Sequence, residues 1–154
     1  ITFLTIIKKE NSAVNAVYYP VSIKDLNKTD KRESGYCRVK VESKDLSFYG
    51  KKIKTKNKNF WVYAANPGKI KKPSYSHPIV QSYVDLFISG CFQIKERYKI
   101  NEFPKQCVET TTEWSKYWVN DRVHARRPFL VPNFYKIDKL LSNFFDYYLD
   151  NKYQ

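Results

Sequence analysis

The spacing of apolar residues changes along this chain, and that change constrains the fold more than any other feature. In YCRVKVES (36–43), Cys37, Val39 and Val41 alternate with charged residues. A two-residue period of this kind predicts a β-strand with one apolar face. After Pro78 the apolar residues recur at helical spacing instead, along a stripe made of Ile79, Val80, Tyr83, Val84, Phe87, Ile88 and Cys91.

The first half contains further strand-like segments. ITFLTII (1–7) and AVNAVYYPVSI (13–23) are rich in β-branched and aromatic residues, and Pro20 favours an edge strand or a bulge. KKIKTKNKNFWVYAA (51–65) begins with alternation and ends in an apolar run, and NPGK (66–69) is a turn signal. We therefore expect an antiparallel β-meander at the N-terminal end.

The second half predicts three helices. The stripe that begins at Ile79 predicts a helix with Pro78 in its first turn and Ser76 or His77 as its cap. A second helix is expected from Pro104 to about Trp118. The last helix is expected to begin after Asn133, with an apolar face formed by Phe134, Ile137, Leu140, Leu141, Phe144, Phe145, Tyr148 and Leu149.

Strands followed by helices predict an α+β fold in which the C-terminal helices pack on one face of the sheet. The 154 residues suit one domain over 1–154, strand-rich over 1–65 and helix-rich over 76–154. No apolar run is long enough to predict a transmembrane segment.

The positive charge is concentrated in the first half. Residues 1–75 contain 17 lysines and arginines but six acidic residues, whereas residues 76–154 contain 11 and nine, and no acidic residue occurs from Leu46 to Val84. Such a region attracts polyanions, of which nucleic acid is the commonest. Lysines outnumber arginines 22 to six, and an AT-biased genome gives the same excess without any functional meaning.

Alternating lysines form a candidate binding ladder at Lys52, Lys54, Lys56 and Lys58. In an extended segment all four project from one face at about 7 Å spacing, so they can follow a phosphate backbone. Trp61 and Tyr63 offer stacking surfaces on the same strand, and more charge follows at Lys69, Lys71 and Lys72. The alternative is a solvated edge strand guarded by lysines.

The segment EWSKYWVNDRVHARRPFLVP (113–132) has two predicted parts. Trp114 and Trp118 are one helical turn apart and are expected to pack in the core, with Asn120 ending the helix. Beyond it, an anion clamp for phosphate or carboxylate is expected from Arg122, His124, Arg126 and Arg127. The alternative pairs Arg122 with Asp121 or Glu113 and leaves the other basic residues solvated.

An enzyme is a further alternative, with His124 as general acid or base and Asp121 as its orienting partner. Cys91 could serve as a nucleophile if His77 or His124 lay beside it, but its place on an apolar stripe favours a core residue. We expect no metal and no cofactor, because the chain has four glycines, no glycine-rich phosphate loop and no metal-ligand cluster.

Cys37, Cys91 and Cys107 are widely spaced, which favours reduced thiols and an intracellular compartment. The chain starts at Ile1 and contains no methionine, so we expect the original N-terminus and any targeting peptide to lie outside it.

The sequence therefore predicts a basic protein that contacts the backbone of RNA or DNA, within a larger assembly with protein partners. Two alternatives stay open: an enzyme acting on a phosphorylated or otherwise anionic substrate, and a structural or adaptor subunit that docks acidic partners.

Overall fold

The computed structural model describes residues 1–50, 53–126, 131–132 and 134–146. Within them, the helices are α1 (Ile23–Arg32), α2 (Gln81–Tyr98), α3 (Phe103–Thr110) and α4 (Phe134–Ser142). The strands are β1 (Tyr36–Val41), β2 (Phe60–Ala65), β3 (Ile79–Val80) and β4 (Trp118–Val119). The predicted α+β class is confirmed.

Two compact units make up the chain. The hairpin unit consists of residues 4–10 and 18–71, and the helical unit consists of residues 1–3, 11–17 and the described residues from 72 onward. The prediction of a single domain over 1–154 stays a prediction.

In the hairpin unit, β1 and β2 pair antiparallel with Tyr36 opposite Ala65 and Val41 opposite Phe60. Both strands lie within segments predicted to be extended. The individual strands expected over 1–7 and 13–23 are wrong, and the antiparallel sheet of this unit has two strands among the described residues.

Helix α1 begins at Ile23, the last residue of a segment expected to be a strand. The Ser22 hydroxyl accepts a hydrogen bond from the backbone N–H of Asp25 at 3.1 Å and donates one to the Asp25 carboxylate at 2.7 Å. This reciprocal cap stabilises a helix start and places an acidic residue in the first turn. The Ser-x-x-Asp spacing at 22–25 was the signal for it.

The helical unit has a core cluster between α2, α3, α4 and the short strands. Its buried members are Ile79, Val84, Ile88, Val108, Trp118, Val131, Ile137 and Leu141. β3 and β4 pair in parallel, with Ile79 opposite Trp118. The predicted apolar stripe therefore faces the core.

Three helix boundaries differ from expectation. α2 starts at Gln81, because Ile79 and Val80 are extended, and Ser76 and His77 do not cap it. α3 ends at Thr110, well before Trp118. α4 ends at Ser142; the predicted cap Asn133 and the predicted continuation over 147–149 lie outside the described residues.

Candidate nucleic-acid interface

One face of the β-hairpin carries cationic and aromatic side chains together. Arg38 lies opposite Tyr63 and Lys40 lies opposite Trp61, and directly opposed residues project to the same side of a sheet. Phe60, the neighbour of Trp61, projects to the other side. There its ring meets those of Tyr18 and Phe48 at centroid distances of 6.0 and 6.2 Å.

Arg38 contacts the Trp61 ring and also forms an ion pair with Asp30. The Arg38 guanidinium carbon lies 4.8 Å from the centroid of the Trp61 ring, and Nη1 of Arg38 lies 3.0 Å from a carboxylate oxygen of Asp30 in α1. The Tyr63 hydroxyl donates to the other Asp30 oxygen at 2.6 Å. Desolvation, and then this hydrogen bond, raise the pKa of Tyr63, so that it stays a neutral donor.

The predicted lysine ladder is exposed but is not a strand. Residues 53–59 form no strand, and the N–H of Lys58 closes a turn onto the carbonyl of Thr55 at 3.0 Å. Asn57 within the turn has a left-handed φ of 62°. The prediction that Lys54, Lys56 and Lys58 alternate on one face of a strand is therefore wrong. All three are nevertheless solvent-exposed, and they lie shortly before β2 in the sequence. Lys52 lies outside the described residues.

The lysines after β2 divide between the units. Lys69 and Lys71 are exposed in the hairpin unit. Lys72 belongs to the helical unit, where its ammonium lies 3.2 Å from a carboxylate oxygen of Glu113. We therefore keep Lys69 and Lys71 in the candidate interface and remove Lys72.

Arg122 does not face outward as the anion clamp requires. Its Nε and Nη2 donate to the two carboxylate oxygens of Asp85, each at 2.7 Å. Its Nη2 and Nη1 donate to the two oxygens of Asp138 at 2.8 and 3.1 Å. The side chains of Arg122, Asp85 and Asp138 are 12%, 5% and 8% exposed. The guanidinium fork thus joins α2 to α4 and is not open to an external anion.

Gln81 extends this internal network to β4. Its amide nitrogen donates to Asp85 at 2.7 Å, and its oxygen accepts from the indole N–H of Trp118 at 2.9 Å. The Arg122 guanidinium also lies 4.6 Å from the ring centroid of Phe134. Buried polar groups that satisfy one another in this way specify how helices pack.

Asp121 caps α2 instead of orienting His124. Its carboxylate accepts from the N–H and the hydroxyl of Ser82 at 2.8 and 2.7 Å, and from the N–H of Arg126 at 2.8 Å. Partial burial acts to raise the pKa of Asp121, but these hydrogen bonds outweigh it and lower the pKa below its ordinary value.

The other members of the predicted clamp are not gathered into a site. His124 and Arg126 are exposed, and no hydrogen bond joins the His124 ring to Asp121 among the described residues. Arg127 lies outside them. Among the described residues, the geometry therefore supplies neither the His124–Asp121 pair nor a cluster of the clamp cations Arg122, His124 and Arg126.

Trp114 and Trp118 do pack together, although not on a helix. Their rings stack at a centroid distance of 5.5 Å and an angle of 11°, and Trp118 lies in β4. Because α3 ends at Thr110, Asn120 does not end the helix, and Glu113 between them has a left-handed φ of 63°. The predicted core role is confirmed for Trp118, which is 8% exposed, while Trp114 is partly buried and packs against the same cluster.

Cys91 is buried with Cys107 and Phe103 between α2 and α3. The hydrogen bond with Cys107, and then burial, raise the pKa of Cys91, which disfavours a reactive thiolate. His77 lies in an exposed turn, where its ring contacts Ser76 at 3.0 Å. The nucleophile hypothesis for Cys91 therefore gains no support.

Sequence reasoning missed Arg38 and Lys40 as interface residues. Their alternation in 36–43 marked them as one face of a strand, but strand pairing was needed to place that face beside Trp61. It also missed Asp85 and Asp138, which lie 37 and 16 positions from Arg122.

In the described part of the chain, no three His, Cys, Asp or Glu side chains are grouped as a metal site requires. None of the helices described there is both long and apolar enough to cross a bilayer. Comparison of the chain with protein-family models, curated proteins and solved structures gives no match.

Proposed function

We propose that this protein binds nucleic acid through the hairpin unit, mainly by contacts to the phosphate backbone. The observation that carries the proposal is the cationic face around Trp61, next to an exposed run of lysines. We call the proposed contact residues together the hairpin surface. Arg38, Lys40 and Trp61 share one face of the β1–β2 pair, Lys54, Lys56 and Lys58 lie in the exposed loop before β2, which we call the lysine loop, and Lys69 and Lys71 follow β2.

The charge on this surface is unbalanced. Arg38 has Asp30 as a partner, and Lys40 has Glu42 at 3.8 Å. Lys54, Lys56 and Lys58 have no ion pair within the described residues and belong to a segment without any acidic residue. Lysines that neutralise phosphates release the cations condensed on the nucleic acid, and this release favours association.

The internal roles of Arg122 and Asp121 argue against the enzyme alternative. A general acid–base at His124 needs an orienting carboxylate and an anion-binding arginine nearby. Asp121 binds the start of α2, and Arg122 binds Asp85 and Asp138. We therefore favour a binding protein over an enzyme.

The test is the salt dependence of binding to a fluorescent 15-nucleotide DNA strand. Replacing Lys54, Lys56 and Lys58 together with glutamine should weaken binding. The plot of the logarithm of the association constant against the logarithm of salt concentration should also become less steep. The magnitude of its negative slope should fall by about 2, because each lost contact to a single strand contributes about 0.7.

A matched control replaces Lys116, Lys136 and Lys139, which are exposed residues of the helical unit, with glutamine. This variant has the same net charge as the first. Equal losses in both variants would show that net charge alone attracts the ligand, and an unchanged slope in the first would exclude the lysine loop. Binding to an acidic protein but not to DNA would favour the adaptor alternative.

A further inference from the structure

We infer that the hairpin surface selects single-stranded nucleic acid, with one unpaired base stacked on Trp61. This inference rests on the proposed function and adds the class of ligand. It follows from how the indole is exposed, how it is held and what charge surrounds it.

Trp61 presents ring surface that a core tryptophan hides. It is 39% exposed, whereas Trp118 in the helical unit is 8% exposed. Among the described residues, Arg38 makes a cation–π contact with Trp61, and no other aromatic ring stacks on it. An indole has two faces, so a cation on one of them leaves the other for a ligand.

Contacts within the hairpin unit also support the indole without a ligand. The Tyr18–Phe48–Phe60 cluster anchors β2 on the opposite face of the hairpin, and the Asp30–Arg38 pair supports the ring from its own face. Because the ring is supported in this way, stacking a base on it costs little side-chain entropy. Each base that stacks on an aromatic ring adds to the affinity whatever its identity, because every base has a flat π-face.

The neighbouring cations are placed for a strand whose base lies on Trp61. Lys40 projects beside the indole as its cross-strand partner, and the lysine loop runs directly into β2. A base inside a duplex already has its two faces covered by its neighbours. A flat contact with Trp61 therefore requires an unpaired, unstacked base, which selects for single strands.

The experiment compares three probes of equal length: oligothymidylate of 15 nucleotides, the corresponding abasic 15-mer and a 15-base-pair duplex. The abasic strand keeps the phosphates and lacks the bases. We expect the wild-type protein to bind oligothymidylate about tenfold more tightly than the abasic strand.

Trp61→Leu should remove this preference and bind the two strands equally, while Trp61→Phe should retain most of it. Tyr75→Leu is the matched control, because Tyr75 is an exposed aromatic residue of the helical unit at 91% exposure. Circular dichroism confirms that each variant is folded. Tryptophan fluorescence gives a second readout. Oligothymidylate should quench the emission of the wild-type protein, and it should quench little of the emission that remains in Trp61→Phe.

Equal wild-type affinity for all three probes would overturn the inference while leaving the proposed function intact. Tighter binding to the duplex than to oligothymidylate, or an unchanged preference in Trp61→Leu, would also overturn it. No binding to any probe would refute the proposed function, and the inference with it.

Discussion

Arg122 binds two carboxylates that come from different helices, and its guanidinium is largely withdrawn from solvent. Asp85 comes from α2 and Asp138 from α4, so the three side chains close a contact between elements that are distant in sequence. Buried charges of this kind are costly when one partner is lost, because the others stay desolvated and unpaired.

We therefore expect Arg122→Ala to lower the free energy of unfolding by about 3–5 kcal/mol. Arg126→Ala is the control, because the Arg126 side chain is exposed and the backbone N–H that binds Asp121 is kept. It should change stability by no more than about 0.5 kcal/mol. Urea unfolding followed by circular dichroism measures both.

The same network makes a second comparison informative. Replacing Asp85, Arg122 and Asp138 together with apolar residues of similar volume should cost less than Arg122→Ala alone, because no buried charge is then left without a partner. A larger loss in the triple variant would contradict this account of the network.

At the scale of elements, Asp121 acts as a helix cap supplied from a distant loop. Val80, at the N-cap position of α2, makes no side-chain cap hydrogen bond, and the Asp121 carboxylate binds the second residue of the helix in its place. A carboxylate here satisfies an N–H that the helix itself leaves unbonded and interacts favourably with the helix dipole.

Asp121→Ala should lower stability by about 1 kcal/mol at neutral pH, the typical cost of losing a cap. The folded-state pKa of Asp121 lies below its ordinary value of 3.8, so its contribution is complete above that pH. This contribution is lost as the pH falls through the lowered pKa. The difference in the free energy of unfolding between wild type and Asp121→Ala should therefore become smaller at low pH. Asp45→Ala, at an exposed turn, is the control. A pH-independent gap would contradict the capping role.

The elements that were predictable are those whose pattern depends on local sequence. The apolar period of 79–91 gave most of α2, and the alternation of 36–43 gave β1, because burial of one face fixes each pattern. The end of α3 and the start of α2 were not predictable, since they depend on Trp118 pairing in β4 and on Asp121, both far along the chain. α1 was missed because its cap, and not an apolar face, marks its start.

The candidate site was predictable in composition and not in geometry. The density of lysines and the presence of Trp61 indicated the region of the candidate site. The turn at Asn57 means that the lysines do not form the expected ladder. The register of β1 and β2 places Arg38 and Lys40 on the face of Trp61, which the sequence alone did not show. Arg122 was misassigned because its acidic partners come from other helices. A single sequence shows that an arginine is present, but not which carboxylate it faces.

At the scale of the whole molecule, the two units differ in charge and in whether their charged side chains are exposed or buried in ion pairs. The lysine loop of the hairpin unit is exposed and lies in a segment free of acidic residues, whereas the helical unit uses Arg122 to hold its core. We propose that the hairpin unit binds the ligand, whereas the buried ion pairs of Arg122 stabilise the helical unit. A polyanion should therefore protect one set of lysines and leave the other accessible.

Lysine footprinting tests this central claim most directly. The protein is acetylated briefly with and without a saturating 15-nucleotide DNA strand, and modification of each lysine is read by mass spectrometry. We expect protection at Lys40, Lys54, Lys56, Lys58, Lys69 and Lys71, with Lys116, Lys136 and Lys139 modified equally in both samples. Protection spread evenly over both sets, or confined to the helical unit, would contradict the account.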